Sequence, residues 1–333
     1  MTKAIALLSG GLDSILAVKL ILNQGVEVEA YHYVSVFSPC VSENGRCTQG
    51  KAAADALGVK LKTSNISRDL LEIIRHPRYG YGKNMNPCID CRIFTFSMAG
   101  EYMRQHGASF LVTGEVLGER PMSQRKDAMR SIERDSGLDG LILRPLSAKL
   151  LLPTLPEKEG LVDREKLLNI QGRSRKPQMA LAKELGISNY PTPAGGCLLT
   201  DPIFGRRMRD LIDHNPMATL NDVHLLKMGR HFRLSPQIKV VVGRNQKENA
   251  KLASHALEGD LIYKVLDFPG PLTLVRGKIE EGLKEMPAAI TARYSKACNE
   301  KKVNVRYGEH PSGSTGVLQV SPLERELPEK LMI

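Results

Sequence analysis

Ser9-Gly10-Gly11-Leu12-Asp13-Ser14 has the composition of an anion cradle. Two glycines let the backbone turn tightly and approach a phosphate, and two serines offer hydroxyls. A helix that follows directs its free N–H groups and positive dipole end into the same space. The stretch lacks the Gly-Lys-Ser/Thr ending of a Walker loop and the third glycine of a dinucleotide fingerprint, so neither of those sites fits. Asp13 can organise a divalent cation or the loop, or serve as a helix-start acid. A second reactive group is Cys88-Ile89-Asp90-Cys91, after Asn86-Pro87. Thiolates at a helix start are stabilised by the dipole and free N–H groups, which makes them better nucleophiles or metal ligands. This spacing serves a redox pair, half of a four-cysteine zinc site, or part of an iron–sulfur site. No second CxxC and no suitably spaced histidine pair completes a zinc site. Cys197, in Pro193-Ala-Gly-Gly-Cys-Leu-Leu-Thr200, is the candidate third thiol.

The elements that must hold these groups alternate strand and helix. Strands are expected at 4–8, 26–34, 60–64, 110–113 and 141–143, and helices at 14–22, 48–57, 69–75, 91–106 and 124–134. Short apolar strands separated by helical patterns predict a doubly wound parallel α/β sheet, with ligands at the carboxyl ends of its strands. Ser9 to Ser14 and Thr113-Gly114-Glu115 both fall there and are expected to share one pocket. The expected organisation is a nucleotide domain at 1–155, a mostly helical linker at 156–215 with the Cys197 loop, and a smaller α+β domain at 216–333.

The 333 residues carry a formal charge of +11 and a pI near 9.3, which favours a polyanionic partner. No signal peptide or membrane span is read, so a cytoplasmic protein is expected, and six cysteines are then not a disulfide framework. Nothing in the spacing of Cys40 and Cys47 distinguishes a sulfur relay from two loop thiols, which is the plainer reading, and Cys298 reads as incidental. Arg173, Arg175, Lys176, Arg206, Arg207 and Arg209 form a basic cluster suited to an RNA backbone.

Ser9 to Ser14 resembles the Ser-Gly-Gly-x-Asp-Ser signature of the PP-loop ATP pyrophosphatases. Leu111-Val-Thr-Gly-Glu-Val-Leu-Gly118, Ser123-Gln124 and Arg144-Pro145-Leu146 are similar to segments of the catalytic domain of tRNA 4-thiouridine synthetases. That resemblance, over about residues 1–200, implies ATP held by Ser9, Gly10, Gly11, Asp13, Ser14, Thr113, Gly114, Ser123 and Gln124, with Mg²⁺. Lys51, Arg120, Arg125 and Lys126 are further phosphate contacts that the sequence does not rank. The CxxC departs from those synthetases and looks like the thiolases that bind a [4Fe-4S] cluster through three cysteines, which would make Cys88, Cys91 and Cys197 both metal ligands and catalytic groups. Ile238 to Asn249, Glu258 to Tyr263 and Gly270 to Val275 resemble the RNA-binding domain of NFACT proteins, with Arg244 and Lys247 as phosphate contacts and Asn245 with Glu248 as a capping box.

The function implied is ATP-dependent tRNA sulfur transfer. A pyrimidine carbonyl would be adenylated and its oxygen replaced by sulfur from sulfide or from a cysteine desulfurase persulfide. Two other readings stay open: a PP-loop ligase that adenylates a small substrate for nitrogen transfer, and a non-catalytic RNA-binding factor that senses ATP. A homodimer is carried as an expectation.

Overall fold

In a computed structural model of the chain, the described residues are 2–38, 48–190, 196–311, 313, 315–324 and 326–333. They form two compact units, Met1–Thr200 and Asp201–Ile333. Cys40 and Cys47 lie outside the described residues.

The first unit is built on β1 (Lys3–Leu7), β2 (Glu27–Val34), β3 (Lys60–Asn65), β4 (Phe110–Thr113) and β5 (Ile142–Leu143). Their order is β3-β2-β1-β4-β5, and every pairing is parallel. Strand alternation divides the core between two faces. Ala4 and Ala6 of β1 pack with Ala17, Val18 and Ile21 of α1 (Leu12–Leu22) and Ala53 and Ala54 of α2 (Thr48–Leu57). Ile5, between them, packs with Phe96, Ala99 and Met103 of α4 (Cys88–Gln105) and Ile132 of α5 (Lys126–Asp135). The chain reaches α4 through α3 (Ser67–Arg75), and α6 (Leu155–Lys158) and α7 (Lys176–Glu184) follow β5. The doubly wound sheet stands as expected. Two helix starts differ: α1 begins at Leu12 because Gly11 is its N-cap, and α4 begins at Cys88, directly after Pro87. Both CxxC thiols therefore sit in a first helical turn.

The second unit is an antiparallel sheet of β6 (Arg230–Ser235), β7 (Ile238–Val242), β8 (Leu261–Val265), β9 (Thr273–Arg276), β10 (Val303–Glu309) and β11 (Thr315–Val320), in the order β11-β10-β8-β9-β7-β6. It follows α8 (Pro202–His214) and α9 (Leu220–Leu225). One sheet face is covered by α9 and α10 (Gln246–Ser254), which place Leu225 and Leu252 against Val241, Leu272 and Leu274. The opposite face meets α11 (Glu285–Arg293), where Ala288, Ile290 and Ala292 pack among Tyr263, Val303 and Val305. At the β6 edge, the segment of α12 (Glu326–Leu331) bridges Phe232 to Met332. Among the described residues no helix is long and apolar enough to cross a membrane.

Candidate active site

Residues 8–11 turn the chain from β1 into α1. Gly10 sits at φ +84°, and a Cβ there would meet the Gln49 carbonyl carbon and oxygen at 2.7 Å, so this position requires glycine on two counts. Gly11 N donates to Ser9 Oγ at 3.2 Å, and Ser14 Oγ donates to Gly11 O at 2.8 Å and lies 3.2 Å from Ser9 Oγ. The two hydroxyls thus shape the turn that frames the helix N-terminus. Gly114 packs directly on that turn: a Cβ would stand 2.5 Å from Asp13 C and Ser14 N. The two loops expected to share a pocket are in backbone contact.

Asp13 Oδ2 accepts from Arg175 Nη2 at 2.7 Å, whereas Asp13 Oδ1 is buried without a hydrogen-bond partner among the described residues. A buried carboxylate oxygen left unpaired at a phosphate cradle suits a Mg²⁺ ligand. Arg175 also lies 3.7 Å from Glu119 Oε1. Burial raises the Glu119 carboxyl, and the Asp13 charge adds to the shift against the opposing Arg175 and Arg120. Arg175, expected on an RNA path, is held at the phosphate loop in this structure.

Residues 114–124 link this cradle to the thiols. Glu115, 2% exposed, accepts from Arg144 Nε at 3.0 Å and makes an ionic contact of 3.3 Å with Arg92 Nε, one residue beyond Cys91. Gly118 N donates to Gln124 O, and Arg120 N donates to Gln124 Oε1 at 2.9 Å, so Gln124 ties the loop to itself. Ser123, fully buried, accepts from Cys88 Sγ at 3.4 Å.

The third cysteine comes back to the first two. Met85 N donates to Leu199 O at 3.2 Å and Asn84 Nδ2 to Thr200 O at 2.8 Å, docking residues 199–200 on the segment that leads into α4, while Leu198 N donates to Phe37 O at 3.0 Å, just after β2. Thr200 Oγ1 closes the turn on Cys197 O at 2.7 Å. Burial pushes the Cys91 thiol up to about 12, with Cys197 and Cys88 adding to the shift against the Arg92 charge. Burial likewise pushes Cys197 up to about 11, where Cys88 contributes and Arg120 opposes. Each thiol lies within the others' electrostatic reach. Asp90, between the CxxC cysteines, accepts from Arg78 N at 2.9 Å and Tyr79 N at 3.0 Å, clamping the preceding segment to the first turn of α4.

The first 149 residues match the family model described as thiamine biosynthesis protein (ThiI), and residues 229–332 match the NFACT protein RNA binding domain. The chain joins a ThiI-type PP-loop domain to an NFACT-type RNA-binding domain. The tRNA-specific 2-thiouridylase MnmA of Trichlorobacter lovleyi is 34% identical over 122 residues, covering 35% of this chain and 34% of that protein. Its counterpart in Stutzerimonas stutzeri is 28% identical over 142 residues, covering 40% and 37%. The chain therefore spans little more than a third of these relatives' length. A 4-thiouridine synthetase–RNA complex with bound ATP aligns at 21% identity and a TM-score of 0.35, covering 56% of this chain and 52% of that one.

The three thiols of the PP-loop domain supply the donor chemistry of a three-cysteine iron–sulfur site. Among the described residues, however, no group of three His, Cys, Asp or Glu side chains is placed to hold a metal ion. In the second unit, Arg207 is spent on structure: Nη1 donates to Leu226 O at 2.8 Å and Nη2 to Gly229 O at 3.0 Å. Arg244 pairs with Glu248, whose carboxylate also takes Arg244 N, so the expected capping box is only half formed: Asn245 Oδ1 accepts from Glu248 N at 3.0 Å. Arg173, Arg206 and Lys247 are exposed. Sequence reasoning missed the Arg175–Asp13 pair and the Glu115–Arg92 link. Glu115 and Arg144 carried a signal through their family-like segments, whereas Arg175 carried none.

Proposed function

We infer that the chain is an ATP-dependent tRNA sulfurtransferase. One observation supports this above the others: the segment carrying Cys197 is docked on the segment leading into Cys88 and Cys91, one loop away from the phosphate cradle. A ligase for small substrates has no use for three converging thiols, and a passive ATP sensor has none for a thiol pair at a helix start.

The N-terminus of α1 and the Gly10–Gly11 turn bind the β,γ-phosphates of ATP. Mg²⁺, held by Asp13, would offset charge on the leaving pyrophosphate. The carbonyl oxygen of an unstacked pyrimidine attacks the α-phosphate and pyrophosphate departs, leaving AMP esterified to that oxygen. Hydrosulfide or a cysteine persulfide then attacks the activated carbon, and AMP leaves with the former carbonyl oxygen. With a persulfide, a second thiol attacks its S–S bond, releasing the thiolated base and leaving a disulfide between the two cysteines. A [4Fe-4S] cluster on Cys88, Cys91 and Cys197 would supply an open iron for sulfide, and holding it would require the three thiols to draw closer than they stand in this structure. Arg92 supplies positive charge beside the thiols, and Glu115 fixes its position. The NFACT-type unit would hold the tRNA.

Anaerobic purification followed by iron and acid-labile sulfide analysis tests the sulfur arm, read beside a Cys88→Ala/Cys91→Ala/Cys197→Ala variant. Iron near four atoms per chain that vanishes in the variant is the result for a cluster. No iron after reconstitution, with loss of tRNA-dependent AMP formation in the variant, selects the persulfide route. AMP formation unchanged by loss of all three thiols refutes sulfur transfer and favours the ligase.

A further inference from the structure

Among the described residues, half of one sheet face of the NFACT-type unit is bare. On the α10 side, helical cover extends across β7 and β9 only as far as Ile262 of β8. Beyond it, β8, β10 and β11 present side chains alternating away from the α11 core. Lys264 is directly opposite Arg306, and Arg306 directly opposite Val317. Lys264 and Arg306 are exposed, and Val317 is 57% exposed. Two residues along, Asn304 faces Gln319 on the same side, and Lys302 is exposed just before β10. Like charges directly opposite across a strand pair destabilise a sheet. Neither Lys264 nor Arg306 has an acidic partner among the described residues, unlike Arg244, which is held by Glu248. A sheet that retains such a pair, uncovered and flanked by amide side chains, is complementary to an anion lying across the strands.

We propose that this face, formed by Lys264, Arg306, Asn304 and Gln319 with Lys302 at its margin, is the surface on which the unit binds the phosphodiester backbone of RNA. The proposal rests on the reading that the chain acts on tRNA, and it moves the main phosphate contacts from the Arg244 turn to the open sheet. The cations neutralise adjacent phosphates, the Gln319 amide donates to phosphate or ribose oxygens, Asn304 Nδ2, which donates to Asp267 Oδ2 at 3.5 Å, marks an acidic edge of the face, and Val317 offers an apolar surface to a sugar or base.

The test is tRNA binding by the full chain across a salt series, comparing wild type with Lys264→Gln/Arg306→Gln, Lys264→Glu/Arg306→Glu and a Lys158→Gln/Lys183→Gln control at two exposed cations of the first unit. The first two should weaken binding about tenfold or more, and the Gln pair should lower the slope of log K against log salt by about 2, for two lost phosphate contacts. Thermal midpoints should hold or rise in the Gln pair, because a like-charge contact is removed. The control should stay within about twofold of wild type. Wild-type affinity and slope in the Gln and Glu pairs would overturn the proposal, as would a loss seen only where the midpoint also falls. Binding of anionic lipid vesicles through these residues, with tRNA affinity unchanged, would overturn it as well. A wild-type chain that binds no tRNA even at low salt would instead defeat the underlying tRNA reading.

Discussion

Asp13 has one oxygen on Arg175 and the other buried without a partner among the described residues. Arg175→Ala should reduce tRNA-dependent pyrophosphate release about tenfold, which corresponds to about 1.4 kcal/mol in the transition state. Initial rates at saturating ATP check this, and an unchanged rate would make Arg175 a loop tether only. The thiols carry a pH signature. Because burial pushes Cys91 to about 12 and Cys197 to about 11, both are protonated at neutral pH in the metal-free protein. Their alkylation by iodoacetamide should rise about tenfold per pH unit from 7 to 10, following the thiolate fraction. Peptide mass spectrometry of labelled protein reads each site. The anion cradle was legible in the sequence, because a glycine pair at a strand-to-helix turn has few other uses, whereas the thiol pair left redox, zinc and iron–sulfur roles open. The partners of Arg175 and Arg207 were not, because a cation's sequence position does not reveal whether it faces solvent, a carboxylate or a main-chain carbonyl.

The elements were more legible than their contacts. The five parallel strands fall close to their expected bounds, because short apolar runs between helical patterns leave little choice of period. Nothing in the pattern showed that β4 and α4 are joined by charge. Glu115 and Arg144 are 2% and 3% exposed, and Arg144 also pairs with Glu133. Glu115→Gln removes one of the two carboxylates that neutralise the buried Arg144 guanidinium and should cost about 3 kcal/mol, measured as a lower urea midpoint. The second unit has its own acid response. His231 is fully buried, its Nε2 pairs with Met228 O at 2.8 Å, and Nδ1 has no partner. Burial, with Lys239 and Arg207 nearby, holds its pKa well below the usual 6.5. A depressed histidine pKa means that the unfolded chain takes up the proton first. Its contribution to stability is therefore complete above the unfolded pKa and is lost as pH falls below about 6.5. His231→Gln should flatten the stability curve between about pH 5 and 6.5 in urea titrations. Carboxylates held low by cations, Asp210 by Arg233 and Lys239 and Asp222 by Thr219 N and Arg276, should govern the further loss at lower pH.

At the scale of the molecule, a ThiI-type PP-loop unit with three neighbouring thiols is joined in one chain to an NFACT-type unit. The charge of +11 agrees with a polyanionic substrate, although it did not show where the cations are free to act. The central claim is that these parts together replace oxygen by sulfur on tRNA. The most direct measurement is nucleoside mass spectrometry of tRNA incubated anaerobically with the chain, ATP, Mg²⁺ and labelled sulfur, supplied in parallel as sulfide and as the persulfide of a cysteine desulfurase, read beside the triple cysteine variant. The account predicts a labelled thiopyrimidine formed with one AMP per sulfur by the wild type, and none by the variant. AMP and pyrophosphate released without any labelled nucleoside, at equal rates in both proteins, would contradict it.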